Sequence, residues 1–256
     1  MVERCPDKTE VEGSIPSTRI FMKAVILAAG EGLRMRPLTL DLHKSMLPIF
    51  GKPLLHYIWE SLPSSIDEVI VVVGYKRETI QSYLMDEYLG RKITYVIQSE
   101  KTGTGRALQL CQSNLSSDQR FLLLYADDLH HRESIEKCLD YSQSLLVARV
   151  DNPKKFGVVT VNETGEIINI EEKPKQPKSN LAACGVYVLD QHIFSYEPLR
   201  SSSGEYYLTT MIEQLIRDHQ VFAVETKFWH PIGYPTDLET AKEVLLLLKP
   251  NGGGVE

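Results

Sequence analysis

Cysteine is scarce in this 256-residue chain, and the four that occur, Cys5, Cys111, Cys138 and Cys184, are scattered. None has the close pairing that zinc and redox motifs need, which predicts reduced thiols in a cytosol-like, cytoplasmic setting. Basic blocks are missing too. With 28 Lys and Arg against 34 Asp and Glu, the net charge is −6, so a broad nucleic-acid footprint is excluded and any anionic ligand must be met by local cations. No apolar stretch reaches the length of a membrane span, and the N-terminus has no signal-peptide apolar core, so no membrane partner is expected. Repeats of solenoid period are absent. What remains is a chain with 43% hydrophobic residues, ample for the core of one large α/β domain or two small ones.

Residues 1–21 are polar and lack helical or strand periodicity, and they read as a flexible leader. The functional domain is expected over 22–250, with the glycine-rich stretch in 251–256 as a frayed tail. From Lys23 onward, apolar runs at 24–27, 69–73, 93–97 and 121–125 alternate with amphipathic stretches at 54–62, 78–88, 106–112 and 132–141. Continuous apolar strands are buried on both faces, the mark of a mostly parallel sheet covered by helices. The pattern predicts a doubly wound, Rossmann-like α/β domain. After the strand at 145–150, closely spaced strands at 158–161 and 167–170 flank an Asn-Glu-Thr-Gly turn, which predicts a hairpin-containing second half that closes over the sheet. Further strands are expected at 185–189 and 221–225, and helices at 208–218 and 237–248.

The sharpest local signal is LAAGEGLRMRP at 27–37, directly after the first strand. Glycines there let successive N–H groups turn toward a phosphate. A dinucleotide-binding loop fits poorly. Gly30 and Gly32 supply two positions of G-x-G-x-x-G, but Met35 takes the third, and Pro37 breaks the helix that should start there. Arg34 and Arg36 lie in the loop and Lys44 follows it. This concentration of cations in an acidic chain suits polyphosphate; alone, the loop reads equally well as a solvated surface turn.

The words LAAG-x-G-x-R-M-x-PLT and K-x-x-LPI-x-GKPL, spread over 23–62, resemble the N-terminal signature of the nucleotide-sugar pyrophosphorylases, which include glucose-1-phosphate thymidylyltransferases and uridylyltransferases. The resemblance implies a magnesium-dependent enzyme that joins a sugar 1-phosphate to a nucleoside triphosphate and releases pyrophosphate. It casts the backbone of Leu27, Ala28, Ala29, Gly30 and Gly32 as the nucleotide loop, Arg34 and Lys44 as triphosphate contacts, and Gln98 and Gly103, with Thr104 beside them, as readers of a pyrimidine base. UTP or dTTP is therefore favoured. Within YADD at 125–128, Asp127 is cast as the Mg²⁺ ligand, and a strand that persists turns Asp128 the other way, toward a capping or surface role. Gly157 and Glu172 are expected on the sugar with Asn180 nearby, and Lys173 on its phosphate. A homo-oligomer is compatible with this reading.

Taken alone, each of these later segments has a plainer reading: a strand end for Gln98, a cap or turn for the Asp pair, a solvated loop for 171–173. Their order along the chain is what resembles the family. Departures accompany it. Leu33 replaces a usual Thr, His43 a Pro, Ala126 a Gly and Thr210 an Asp, while Pro231 stands where the family's second metal-binding Asp is common. The last substitution leaves three options: Asp127 holds the ion with phosphates and water, a neighbour such as His230 or a backbone carbonyl assists, or catalysis is impaired. Two alternatives therefore stay open, a non-catalytic nucleotide-sensing or assembly subunit and a mannose-1-phosphate guanylyltransferase.

Overall fold

A computed structural model describes residues 22–115, 120–201 and 204–248; the expected leader at 1–21 and tail at 251–256 lie outside the described residues. β1 (Met22–Ala28) leads into the glycine-rich loop, and the short β2 (Pro48–Ile49) and β3 (Lys52–Pro53) precede α1 (Leu54–Ser61). Next come β4 (Ile66–Val73), α2 (Arg77–Leu84), β5 (Glu87–Tyr88), β6 (Arg91–Ile97), α3 (Thr104–Gln109), β7 (Phe121–Tyr125), β8 (Asp128–His130) and α4 (Arg132–Cys138). The second half holds β9 (Ser144–Arg149), β10 (Gly157–Val161), β11 (Ile167–Glu172), β12 (Leu181–Leu189), α5 (Leu208–Leu215), β13 (Phe222–Glu225), β14 (Trp229–Pro231) and α6 (Pro235–Leu248).

The centre of the main sheet is parallel, in the order β7-β1-β4-β6. β1, β4 and β7 are buried on both faces, with successive residues of β1 feeding two separate cores, whereas β6, whose 93–97 run was expected to be buried likewise, has no fully buried residue. Ala24, Ile26 and Ala28 pack with residues of α1, α2, α4 and α6, whereas Val25 and Leu27 pack with residues of α3 and α5. That two-sided burial is the physical content of the continuous apolar runs, and it makes the fold doubly wound as expected.

Beyond β7 the sheet turns antiparallel. β12 pairs with β7 through 186–189 and with β10 through Leu181 and Ala182, and its other edge carries β9 and then β13. The β10–β11 hairpin thus continues the sheet at its edge instead of closing over it, because β12 satisfies the free backbone edge of β10. β12 starts earlier than its apolar core suggests and bends at Gly185, whose φ is +74°. A Cβ at that position would lie 2.8 Å from the Tyr125 ring, so the bend brings the two strands close where the cavity opens. The helix expected over 78–88 stops at Leu84, after which Glu87 and Tyr88 pair with β6. Three cysteines, Cys111, Cys138 and Cys184, are free and buried.

Candidate active site

One cavity of about 880 Å³ opens along the carboxyl ends of β1 and β7, the edge where open α/β sheets hold ligands. It brings together Leu27, Ala28, Ala29, Gly30, Gly32, Arg34, Lys44, Gln98, Gly103, Thr104, Asp127, Gly157, Glu172 and Lys173. Asn180 is the exception. It stands exposed before β12, and its side-chain oxygen accepts a hydrogen bond from Arg149 at 3.2 Å, so the structure takes it out of the cavity wall.

Gly32 shows why the loop needs glycine. Its φ is +60°, and a Cβ there would lie 3.0 Å from the Lys44 Cβ and 3.2 Å from the Thr39 methyl. Thr39 donates to the Gly32 carbonyl and pins the turn. Lys44 follows in a 3-10 turn capped by His43, whose Nδ1 accepts from the Ser45 amide at 3.1 Å. The Lys44 Nζ donates to Asp127 Oδ2 at 2.8 Å, and this ion pair joins the glycine-loop side of the cavity to the end of β7. Burial pushes the His43 imidazole down to about 4, against the opposing pull of Asp127, so His43 is neutral at physiological pH.

Gly103, with φ +100°, passes so close to Tyr206 that a Cβ would lie 2.6 Å from its carbonyl oxygen. Gln98 secures this loop by donating from Nε2 to the Gly103 carbonyl at 3.1 Å and the Thr102 hydroxyl at 3.2 Å. Thr104 accepts from the Leu208 amide at 3.0 Å and so ties α3 to α5.

The opposite end of the cavity is built on strands. A Cβ on Gly157 would lie 2.9 Å from the Thr209 methyl and 3.4 Å from Glu172 Oε2. Thr209 donates to Glu172 Oε2 at 2.9 Å, and Lys173 sits 3.3 Å from Glu172 Oε1. Lys173 also donates to the Tyr207 hydroxyl at 3.3 Å, with its ammonium 4.5 Å from the Tyr207 ring centre. Its backbone has φ +44°, outside the usual range for a side-chain-bearing residue, and its amide is held by the Phe156 carbonyl. Burial alone would lower the Lys173 ammonium, but Glu172 and Tyr207 outweigh it and hold the pKa above its ordinary value.

Asp128 overturns the surface or capping expectation. The chain turns at Ala126 and Asp127, which breaks the strand alternation, and Asp128 becomes a buried part of the cavity wall. Its Oδ2 accepts from Trp229 Nε1 at 3.0 Å, and burial together with the Asp127 charge raises its carboxyl well above the ordinary range. Asp128 is also the cross-strand partner of Pro231. His230 does not line the cavity, and its Nε2 donates to the Asp237 carbonyl at 2.8 Å. Among the described residues, no group of three or more His, Cys, Asp or Glu side chains is arranged to hold a metal ion.

Sequence reasoning passed over Asp128, Tyr207, Trp229 and Tyr234 as cavity residues. Trp229 and Tyr234 fall within the 228–238 segment that carries the Pro231 departure, so its motif was the available signal. Tyr207 lies in the 204–210 segment, also visible only through the family order.

A glycine loop, a half-buried lysine–aspartate pair and a second lysine around one cavity of a doubly wound sheet define a phosphate-handling α/β protein. The family model described as Nucleotidyl transferase matches residues 23–246, and the chain belongs to that family, among the sugar-1-phosphate nucleotidyltransferases. The bifunctional protein GlmU of Methanocaldococcus jannaschii is 36% identical over 228 residues, which cover 88% of this chain and 54% of that protein. The chain thus spans about half the length of that relative. The UTP–glucose-1-phosphate uridylyltransferase AglF of Haloferax volcanii is 36% identical over 238 residues, covering 88% of this chain and 96% of that protein. Among solved structures, a putative glucose-1-phosphate thymidylyltransferase from Bacillus anthracis in complex with a sucrose superposes with a TM-score of 0.79 at 29% identity, over 91% of this chain and 98% of that one. UDP-glucose pyrophosphorylase complexed with UDP-glucose shares the fold, with a TM-score of 0.77 at 23% identity over 89% of this chain and 99% of that one. Among the described residues, no helix is long and apolar enough to cross a membrane.

Proposed function

We propose that the protein transfers a nucleotidyl group from UTP or dTTP to a hexose 1-phosphate of the glucose type, making a nucleoside diphosphate sugar and pyrophosphate. The observation that carries this reading is the convergence of Arg34, Lys44, Asp127 and Lys173 on one cavity, with Gln98 and Gly103 in the wall on one side and Gly157 and Glu172 on the other. AglF, a uridylyltransferase, and the thymidylyltransferase neighbour, both named for glucose 1-phosphate, support a pyrimidine nucleotide and that sugar phosphate.

An oxygen of the sugar 1-phosphate attacks the α-phosphorus in line. The α-phosphorus bond to the bridging oxygen of the β-phosphate breaks, and its electron pair leaves with pyrophosphate. The nucleophile is already ionised at neutral pH, so no general base is needed. The barrier lies in bringing two anions together, and positioned cations lower it. Lys173 holds the sugar phosphate, while Arg34 and Lys44 meet the triphosphate and the departing charge. Gln98 commits its amide nitrogen to the Gly103 loop, which gives its carbonyl oxygen the accepting role toward the imide N–H of a pyrimidine. Glu172, aligned by Thr209, accepts from sugar hydroxyls.

The residues fit Mg²⁺ as the family implies it. Asp127 gives one carboxylate in the cavity wall, and Mg²⁺ commonly takes one or two carboxylates with phosphate oxygens and water. Asp127 would hold the ion, which supplies further positive charge at the phosphates when bound.

The test is pyrophosphate release with Mg²⁺ over a panel of nucleoside triphosphates and sugar 1-phosphates. Turnover confined to UTP or dTTP with glucose 1-phosphate is expected; preference for a purine nucleotide would sink the base assignment. Pro231, which contributes no side-chain ligand to the wall it lines, favours a second reading, a nucleotide-sensing subunit without catalysis. UTP binding with no turnover across the panel selects that reading.

A further inference from the structure

Of the three cations assigned to the phosphates, Arg34 alone has no carboxylate partner among the described residues. It stands exposed on the 3-10 turn Leu33–Met35, and a long, solvated side chain there samples many rotamers. Lys44 and Lys173, by contrast, have carboxylate partners at 2.8 Å and 3.3 Å. What Arg34 meets is Tyr234, from the loop between β14 and α6, with the guanidinium carbon 5.1 Å from the ring centre. This distance is within the range of a cation–π contact, and arginine is well suited to it because its planar group is weakly hydrated.

The loop that carries the ring is itself held. Asp237, in the first turn of α6, accepts from the amides of both Gly233 and Tyr234 at 2.7 Å. His230 is tied to the Asp237 carbonyl from β14. Gly233 leaves room for the arginine, since a Cβ there would lie 3.7 Å from Arg34 Nη1 and 3.6 Å from Asp237 Oδ2. Tyr234 and Asp237 both line the cavity.

We propose that Tyr234 is a positioning residue that holds the Arg34 guanidinium at the cavity, with Asp237 fixing the loop that presents the ring. This rests on the reading that Arg34 meets the triphosphate. The ring restricts Arg34 before nucleotide arrives, so less freedom is lost on binding.

A double-mutant cycle tests it, using Arg34→Ala, Tyr234→Ala, the double variant and Tyr234→Phe, with UTP affinity by calorimetry, the kcat and KM of pyrophosphate release, and the thermal midpoint. Tyr234→Ala is expected to weaken UTP binding about three- to ten-fold, the scale of a partly exposed cation–π contact, and to raise the KM for UTP more than it lowers kcat. Tyr234→Phe, which keeps the π face, restores both, and the thermal midpoint is unchanged throughout. The double variant binds UTP no worse than Arg34→Ala. Additive losses, or a Tyr234→Phe variant as weak as Tyr234→Ala, overturn the proposal while the triphosphate role of Arg34 stands. Unchanged UTP binding and turnover in Arg34→Ala remove that role, and this proposal with it.

Discussion

The two ends of the cavity are built differently. Around Gly157, Glu172 and Lys173, side chains of the β10–β11 hairpin and of the start of α5 lock one another: Thr209 holds Glu172, and Glu172 and Tyr207 hold Lys173. Around Gly32, Arg34 and Lys44, the cations ride on 3-10 turns in a loop, and the only carboxylate of the ion pair, Asp127, comes from another element. The contrast follows from the chemistry each end is assigned. Recognition of a sugar needs fixed acceptors, whereas a triphosphate that becomes pyrophosphate needs charge that can follow the leaving group.

Removing charge from the loop end is the largest break in this comparison. Lys44→Ala is expected to lower kcat by about 10²–10³-fold, the loss typical of one electrostatic donor at a transition state. It also strips Asp127 of its partner. Steady-state assays of pyrophosphate release check this, and a rate within a few-fold of the parent would mean that Lys44 serves only to neutralise Asp127.

A smaller effect is expected from Gly157→Ala at the strand end. The new methyl would meet Thr209 at 2.9 Å and disturb its hold on Glu172. A hydrogen bond to a charged group corresponds to about ten-fold or more in binding, so the KM for glucose 1-phosphate should rise about ten-fold while UTP affinity is retained. An equal loss of UTP affinity would show that the two ends are not separable.

Acid should loosen the loop side first. His43 lines the cavity there with its pKa lowered by burial from 6.5 to about 4, and His130, buried on β8, is lowered by burial to about 3. As pH falls below 6.5 the unfolded chain takes up these protons before the folded one, so stability declines from about pH 6.5 down toward pH 4. Asp128 acts in the opposite direction, because its raised carboxyl binds a proton in the folded state at pH values where an unfolded aspartate is ionised. His43 and His130, joined by His56, whose pKa burial also lowers, outweigh the one carboxyl and predict a thermal midpoint that drops by a few degrees between pH 7 and pH 5, and a shallower drop in His130→Leu. A midpoint independent of pH over that interval would contradict neutral, buried histidines. The smallest effect belongs to Asn180→Ala, whose kinetics should stay within about two-fold of the parent, since a surface change away from packed features alters little.

The parallel centre of the sheet was legible because burial on both faces leaves runs such as 69–73 with no polar residue. Most cavity residues were legible too, though through the order of short motifs. Strand β14 was not, since three residues carry no periodicity and its pairing with β8 joins positions as distant as Asp128 and Trp229. Asp128 misled for a related reason: alternation was extended through a point where the chain turns. The hairpin of β10 and β11 showed its own turn in the sequence but not its neighbour, because edge pairing to β12 depends on backbone contact and leaves no residue signature. Asn180 was placed by the family's order of motifs, yet it stands exposed with its side-chain oxygen on Arg149.

The pairing of β14 with β8 also sets an order of assembly. During synthesis the glycine loop, Lys44 and Asp127 leave the ribosome long before Trp229 and Tyr234, so the nascent chain carries an open half-vessel until its closing wall arrives. A chain cut short before that strand would lack the part of the cavity wall that Trp229, Pro231, Ile232, Gly233, Tyr234 and Asp237 supply.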